Sequence, residues 1–157
     1  MPELPEVERL RRTLEAAMVG ARFTSVLLNR RDLRQPFPAG FKRNLQGHTV
    51  RAITRRGKYL LVELSSGDVL LMHLGMSGWL RVERTSAVAA RATDPDLALE
   101  NRHDHVVFTM SSGLTVTFND PRRFGMMDLI AANRLPLHAS IGAIGPEPLS
   151  QIGRAHV

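Results

Sequence analysis

The chain has 157 residues, 43% of them hydrophobic, enough to bury one core and too few for several. It carries 21 Lys and Arg against 15 Asp and Glu, a formal charge of +6 with an isoelectric point near 11.1, a balance suited to a polyanionic partner. No apolar run reaches transmembrane length and no signal-peptide core follows the start, which argues against membrane insertion or export; six histidines without a cysteine give no metal-ligand spacing.

The chain opens Met1-Pro2-Glu3-Leu4-Pro5-Glu6. Removal of Met1 leaves Pro2 as a secondary α-amine, which titrates about two units below a Lys side chain and is partly neutral at neutral pH. Such an amine can attack an electrophilic carbon and carry an iminium, and Glu3 and Glu6 lie beside it as candidate proton donors and acceptors. The same residues also suit an ordinary helix start. Pro5 fits a first turn, Glu6 and Glu8 suit its positive end, Val7, Leu10, Leu14 and Ala17 recur on one face, and Gly20 can close the helix. Arg9, Arg11 and Arg12 fall largely off that face and read as solvated.

After the helix, residues 22–28, 50–55, 59–64, 69–72, 79–83, 105–110, 114–118 and 126–130 read as strands rich in β-branched and apolar side chains. Ser65-Ser66-Gly67-Asp68 and Ser111-Ser112-Gly113 read as hairpin turns. Short strands without alternating helices predict an α+β, mainly β fold, an antiparallel two-sheet sandwich or flattened barrel with one N-terminal helix. Between Arg84 and Arg102 no period is sustained, and a long surface loop, mobile without its partner, is expected. No repeat and no domain boundary is visible before residue 150. Lys42 and Lys58 are the only lysines among many arginines. A lysine can lose its proton when desolvated and an arginine cannot, which marks a lone Lys within an Arg cluster as a candidate for chemistry.

Five segments in order and spacing carry a family resemblance. They are the opening, Arg55-Arg56-Gly57-Lys58-Tyr59-Leu60-Leu61, His73-Leu74-Gly75-Met76-Ser77-Gly78, Asp120-Pro121-Arg122-Arg123-Phe124-Gly125 and Gly145-Pro146-Glu147-Pro148-Leu149. Together the segments resemble the N-terminal catalytic domain of bacterial formamidopyrimidine-DNA glycosylase over residues 1–150. The resemblance implies a DNA repair enzyme that excises oxidised purines such as 8-oxoguanine and formamidopyrimidines from double-stranded DNA and then cuts the strand as an abasic-site lyase. It implies Pro2 as the nucleophile at the sugar's anomeric carbon, Glu3 as the acid that protonates the ring oxygen, Glu6 as an aid to positioning the terminus, and Lys58 as the lysine that assists base release and β-elimination. Met76, Arg122 and Phe124 match the residues that fill the space left by the extruded base, with Arg122 facing the orphaned cytosine. Arg123, His73 and His103 match positions that contact DNA. On composition alone, Met76 reads as core filler, Phe124 as a turn residue packed inward and His103 as structural.

The family continues into a helix–two-turn–helix domain and a four-cysteine zinc finger, neither of which is expected in residues 1–157; zinc is expected in the full-length parent and no cofactor in this chain. The final Ile152-Gly153-Arg154-Ala155-His156-Val157 is what one frame of a common sequencing adapter encodes, so residues 151–157 read as a non-native tail. A bacterial cytoplasmic monomer with no membrane partner is expected, with weak, salt-sensitive DNA binding and impaired activity, because the family's DNA cleft takes its other wall from the C-terminal half. Two alternatives remain open: an endonuclease VIII-type enzyme for oxidised pyrimidines, and a non-catalytic basic domain that binds nucleic acid.

Overall fold

Residues Leu4–Met18 form helix α1 in the computed structural model, which describes residues 3–138 and 141. Pro2, the Gly145-to-Leu149 segment and the 151–157 tail lie outside the described residues. The backbone of Glu3 is extended, and its carbonyl accepts the N–H groups of Glu6 and Val7, each at 3.0 Å, so Glu3 caps the helix through its main chain. Pro5 sits in the first turn, where its missing N–H costs nothing. Val7, Leu14, Ala17 and Met18 are buried, as the expected face requires. Gly20, at φ 84°, turns the chain out of the helix and donates its N–H to Val50 at 2.8 Å.

Eight strands follow: β1 (Phe23–Leu28), β2 (Val50–Arg56), β3 (Tyr59–Leu64), β4 (Asp68–His73), β5 (Trp79–Arg84), β6 (Asp104–Met110), β7 (Leu114–Asn119) and β8 (Met126–Ala131). They pair as two four-stranded sheets, ordered β1-β6-β7-β5 and β2-β3-β4-β8, with every pairing antiparallel. The expected sandwich is present. Phe23, Phe108 and Phe118 meet Leu60, Leu70 and Met72 in the main core, with Phe23 and Phe108 edge to face at 5.3 Å. In β4 four consecutive residues are buried, because its outer face is covered too. Val69 and Leu71 join Met126, Leu135 and Ile141 in a second cluster, to which the 3-10 helix Ala132–Leu137 contributes.

Two segments depart from expectation. Phe41–Leu45 forms a short helix, α2, that buries Phe41 and Leu45. The stretch expected to be a loop is helical: α3 (Thr85–Ala92), a 3-10 turn (Pro95–Leu97) and α4 (Ala98–Asn101). No residue of α3 is buried, so no apolar period betrays it. The helix is tied down by charge instead. Arg91 donates to Glu83 at 2.9 Å and to Asp104 at 2.9 Å, and Arg81 donates to the same Asp104 oxygen at 2.8 Å.

The strand registers decide where chemistry can gather. Arg56 pairs with Tyr59, Tyr59 with His73, His73 with Met126 and Trp79 with Asn119. The β2–β3 turn, the end of β4, the start of β5, the end of β7 and the start of β8 therefore share one end of the sandwich. The N-terminus of α1 reaches that same end, since its last turn lies against Val50 at the other.

Candidate active site and nucleic-acid interface

Two elements bring the candidate acid and lysine together. Glu3 stands at the head of α1, and Lys58 occupies the second position of the two-residue β2–β3 hairpin loop. Gly57, in the first loop position, has φ 57°, a backbone a type II′ turn demands and a side chain resists. This turn lifts Lys58 to within 3.8 Å of the Glu3 carboxylate. Glu6 follows one turn later and is exposed, its N–H held by the Glu3 carbonyl.

Arg55, a residue that sequence reasoning gave no separate role, connects the two elements from beneath. Its side chain is 3% exposed as a residue, yet it spans both: Nε donates to Glu8 of α1 at 3.2 Å and Nη1 donates to the Gly57 carbonyl at 3.1 Å. Hydrogen bonds from Arg11 first, and from Arg55 and Arg12, outweigh burial and hold the Glu8 carboxyl at about 2. Arg11, expected to be solvated, instead bridges Glu8 and Glu15 and donates to the Ile53 carbonyl of β2 at 3.1 Å. These partners lie up to 47 positions apart in sequence, which hides them from local pattern.

His73 closes β4 beside the hairpin, its ring 4.6 Å from Tyr59. Burial first, then the positive charges of Lys58 and Arg34, push its imidazole below the ordinary range. The Gly75 N–H donates to its Nδ1 at 2.9 Å, which leaves the proton of the neutral ring on Nε2, free to be offered as a hydrogen-bond donor. Gly75 is the joint between this site and the next. Its φ is 67°, and a Cβ there would fall 2.5 Å from the Phe124 carbonyl carbon, so only glycine lets the 73–78 turn press against the 120–125 turn.

A buried carboxylate organises that second turn. Asp120, fully buried, accepts from Ser77 Oγ at 2.6 Å and from the Gly125 N–H at 2.8 Å. Ser77 Oγ in turn accepts the Arg122 N–H at 3.1 Å, and the Asp120 carbonyl lies 2.7 Å from His105 Nε2, a donor to it. Burial foremost lowers the His105 pKa, in keeping with a neutral donor. Within this frame Arg123 takes φ 56°, the one positive φ among described residues other than glycine, a conformation tolerated where the surroundings impose it. The result is a rim of outward side chains. Met76 is 52% exposed and Phe124 44% exposed, so neither serves as core filler. The Arg122 guanidinium lies 5.0 Å from the Phe124 ring centre.

His103 is half-buried and lines a depression of about 410 Å³ with Trp79, Leu99 and Pro121. Its carbonyl accepts the Asp120 N–H at 3.0 Å, which ties it to the same turn. Among the described residues, Glu3, Lys58, His73, Met76, His103, Arg122, Arg123 and Phe124 therefore share one end of the sandwich. The sequence has no cysteine, and among the described residues there is no group of three His, Asp or Glu suited to a metal. No helix among the described residues is long and apolar enough to cross a membrane.

Comparison with known proteins gives this arrangement a context. The family model described as the formamidopyrimidine-DNA glycosylase N-terminal domain matches residues 1–127. The chain is 54% identical over 150 residues to the formamidopyrimidine-DNA glycosylase of Rhodopseudomonas palustris, covering 95% of this chain and 51% of that protein. It is 51% identical over 152 residues to that of Methylocella silvestris, with the same coverages. The chain thus spans about half the length of the curated relatives it matches. Among solved structures, the Lactococcus lactis Fpg in complex with DNA containing an abasic site superposes with a TM-score of 0.76 at 31% identity, over 94% of this chain and 51% of that one. The same bacterium's Fpg with DNA carrying a formamidopyrimidine lesion gives 0.74 at 31% identity, over 93% and 51%.

Proposed function

Since the chain belongs to the formamidopyrimidine-DNA glycosylase N-terminal domain family, we propose that its first 150 residues are the catalytic half of a DNA glycosylase and abasic-site lyase acting on oxidised purines in double-stranded DNA. One observation carries this reading. The carboxylate of Glu3, the residue bonded to Pro2, stands 3.8 Å from Lys58, beside a rim where Met76, Phe124 and Arg122 face outward.

The chemistry follows from those groups. The neutral Pro2 nitrogen attacks the anomeric carbon; the new N–C bond forms as the bond to the damaged base breaks, and the nitrogen's own proton passes to the departing base. Glu3 delivers a proton to the ring oxygen, the ring opens, and an iminium remains. The iminium acidifies the adjacent sugar proton. Removal of that proton, which Lys58 assists, expels the 3′ phosphate, and water then releases the amine. No metal enters these steps. Extruding the base costs a few kcal/mol, which side chains entering the gap offset. Met76 and Phe124 would fill it, with Arg122 presented to the orphaned base. His73 Nε2–H, Arg123 and His103 would meet phosphates. We place the activity in the bacterial cytoplasm and expect the chain to act as a monomer.

Single-turnover assays with the chain in large excess test this reading, using duplexes that carry 8-oxoguanine opposite cytosine, a formamidopyrimidine, an oxidised pyrimidine or an abasic site. The expected order is cleavage of the abasic duplex first, then slow release of the two purine lesions ahead of the pyrimidine. Preference for the pyrimidine would move the chain to the endonuclease VIII type. Binding without any cleavage or covalent adduct would leave a basic binding module.

A further inference from the structure

Beyond the rim just described, the loop leaving β1 and helix α2 enclose an open groove of about 700 Å³. Its floor is the half-buried Phe37, whose ring centre lies 5.1 Å from that of the buried Phe41. Its walls carry Arg31, Lys42 and Arg43, all three exposed, and no carboxylate is among the residues that line it. One of the chain's two lysines is therefore here, in a place the catalytic reading leaves unused.

Two sets of contacts join the groove to the rim. β1 ends at Leu28, which pairs with Val106, and the next residue, Asn29, donates its N–H to the His105 carbonyl at 2.9 Å. The groove therefore opens at the end of the sandwich that holds His103 and Asp120. Farther along the loop, the Arg34 N–H donates to the Gly125 carbonyl at 3.1 Å, and Asp32 lies 3.7 Å from the Arg123 guanidinium. Asp32, the acid nearest the groove in sequence, is thus shared between Arg30 and Arg123.

Resting on the DNA reading above, we infer that this groove is a second nucleic-acid contact surface, which carries the sugar–phosphate backbone of the same duplex as it leaves the Arg122–Phe124 turn. A deoxyribose ring lies against Phe37, and phosphates meet Arg31, Lys42 and Arg43. Such contacts position DNA and do not read sequence. They release counterions, and each phosphate neutralised adds ~0.9 to the slope of log affinity against log salt.

The test is the salt dependence of binding, measured by fluorescence anisotropy with a labelled duplex carrying a reduced abasic site and with the same duplex undamaged. Replacing Arg31, Lys42 and Arg43 together by Gln should weaken both duplexes alike and lower the slope by roughly 2–3 units. A variant with Arg22, Arg51 and Arg84 replaced by Gln loses the same charge at the opposite end of the sandwich and should keep the slope of the unaltered chain. All six residues are exposed, so thermal melting of both variants should match that of the unaltered chain. A slope that the groove variant leaves unchanged, or that the control variant lowers equally, overturns the groove. An unaltered chain that binds neither duplex overturns the DNA reading itself, and the groove with it.

Discussion

Glu3→Gln is expected to stop release of a damaged base while leaving the amine able to join ready-made abasic DNA. The amide keeps the shape of the carboxyl and cannot deliver its proton. A positioned general acid contributes roughly 10²–10⁴ in rate, and single-turnover excision of 8-oxoguanine should fall by that order. Condensation of an amine with an already opened sugar aldehyde needs no ring-opening proton, so borohydride trapping on abasic DNA should fall far less. The helix cap survives too, because the Glu3 carbonyl, and not its side chain, caps α1. Loss of both steps to the same degree would assign Glu3 to positioning the terminus or Lys58.

The second large effect is expected from a residue that touches no reacting atom. Arg55→Met removes the donor pair that holds α1 against the hairpin, leaving Lys58 on a turn no longer fixed relative to Glu3. A displacement of about 1 Å between reacting groups can cost on the order of 10²-fold, and covalent trapping should drop by that order even at saturating DNA. Stability should fall as well. A hydrogen bond to a charged group contributes roughly 1.5–3 kcal/mol, and in a domain of this size each kcal/mol shifts the melting temperature by roughly 2–4 °C.

The pH dependence of that melting difference carries the sign of the Glu8 interaction. Glu8 is held at about 2 against an ordinary 4.5, so its folded state binds fewer protons than the unfolded chain. Its stabilising contribution is complete above about 4.5 and is lost as pH falls toward about 2. The melting gap between the unaltered chain and Arg55→Met should therefore narrow across that window. Arg55→Lys, with one ammonium in place of a two-armed fork, should recover part of the stability and little of the trapping. Recovery of both in proportion would make Arg55 a purely structural residue.

Most of the architecture is legible in the sequence, and the reasons differ by element. The eight strands begin and end within one residue of their expected positions, because β-branched runs bounded by Ser-Gly turns leave few alternatives. Helix α3 escapes because burial does not create it. Ala87, Ala89, Ala90 and Ala92 favour a helix intrinsically, a signal independent of periodicity, while its anchor, Arg91, depends on Asp104 across the fold. The site divides in the same way. Glu3, Lys58 and the 120–125 turn stand out through local motifs, whereas Arg55, Arg11 and the buried Asp120 knot act through partners distant in sequence. The exposure of Met76 and Phe124 is a fact of packing, since composition alone gives both residues to the interior.

Whether the amine at position 2 is the nucleophile is tested most directly by borohydride reduction of the chain mixed with abasic duplex, followed by proteolysis and mass mapping of the adduct. With Met1 removed, the strand should be found joined to Pro2. Retaining Met1 or acylating the terminus should abolish that adduct almost entirely, while Pro2→Gly, a primary amine still able to form an imine, should retain part of it. Undiminished trapping with a blocked terminus, or an adduct that maps to Lys58, would remove Pro2 from the reaction.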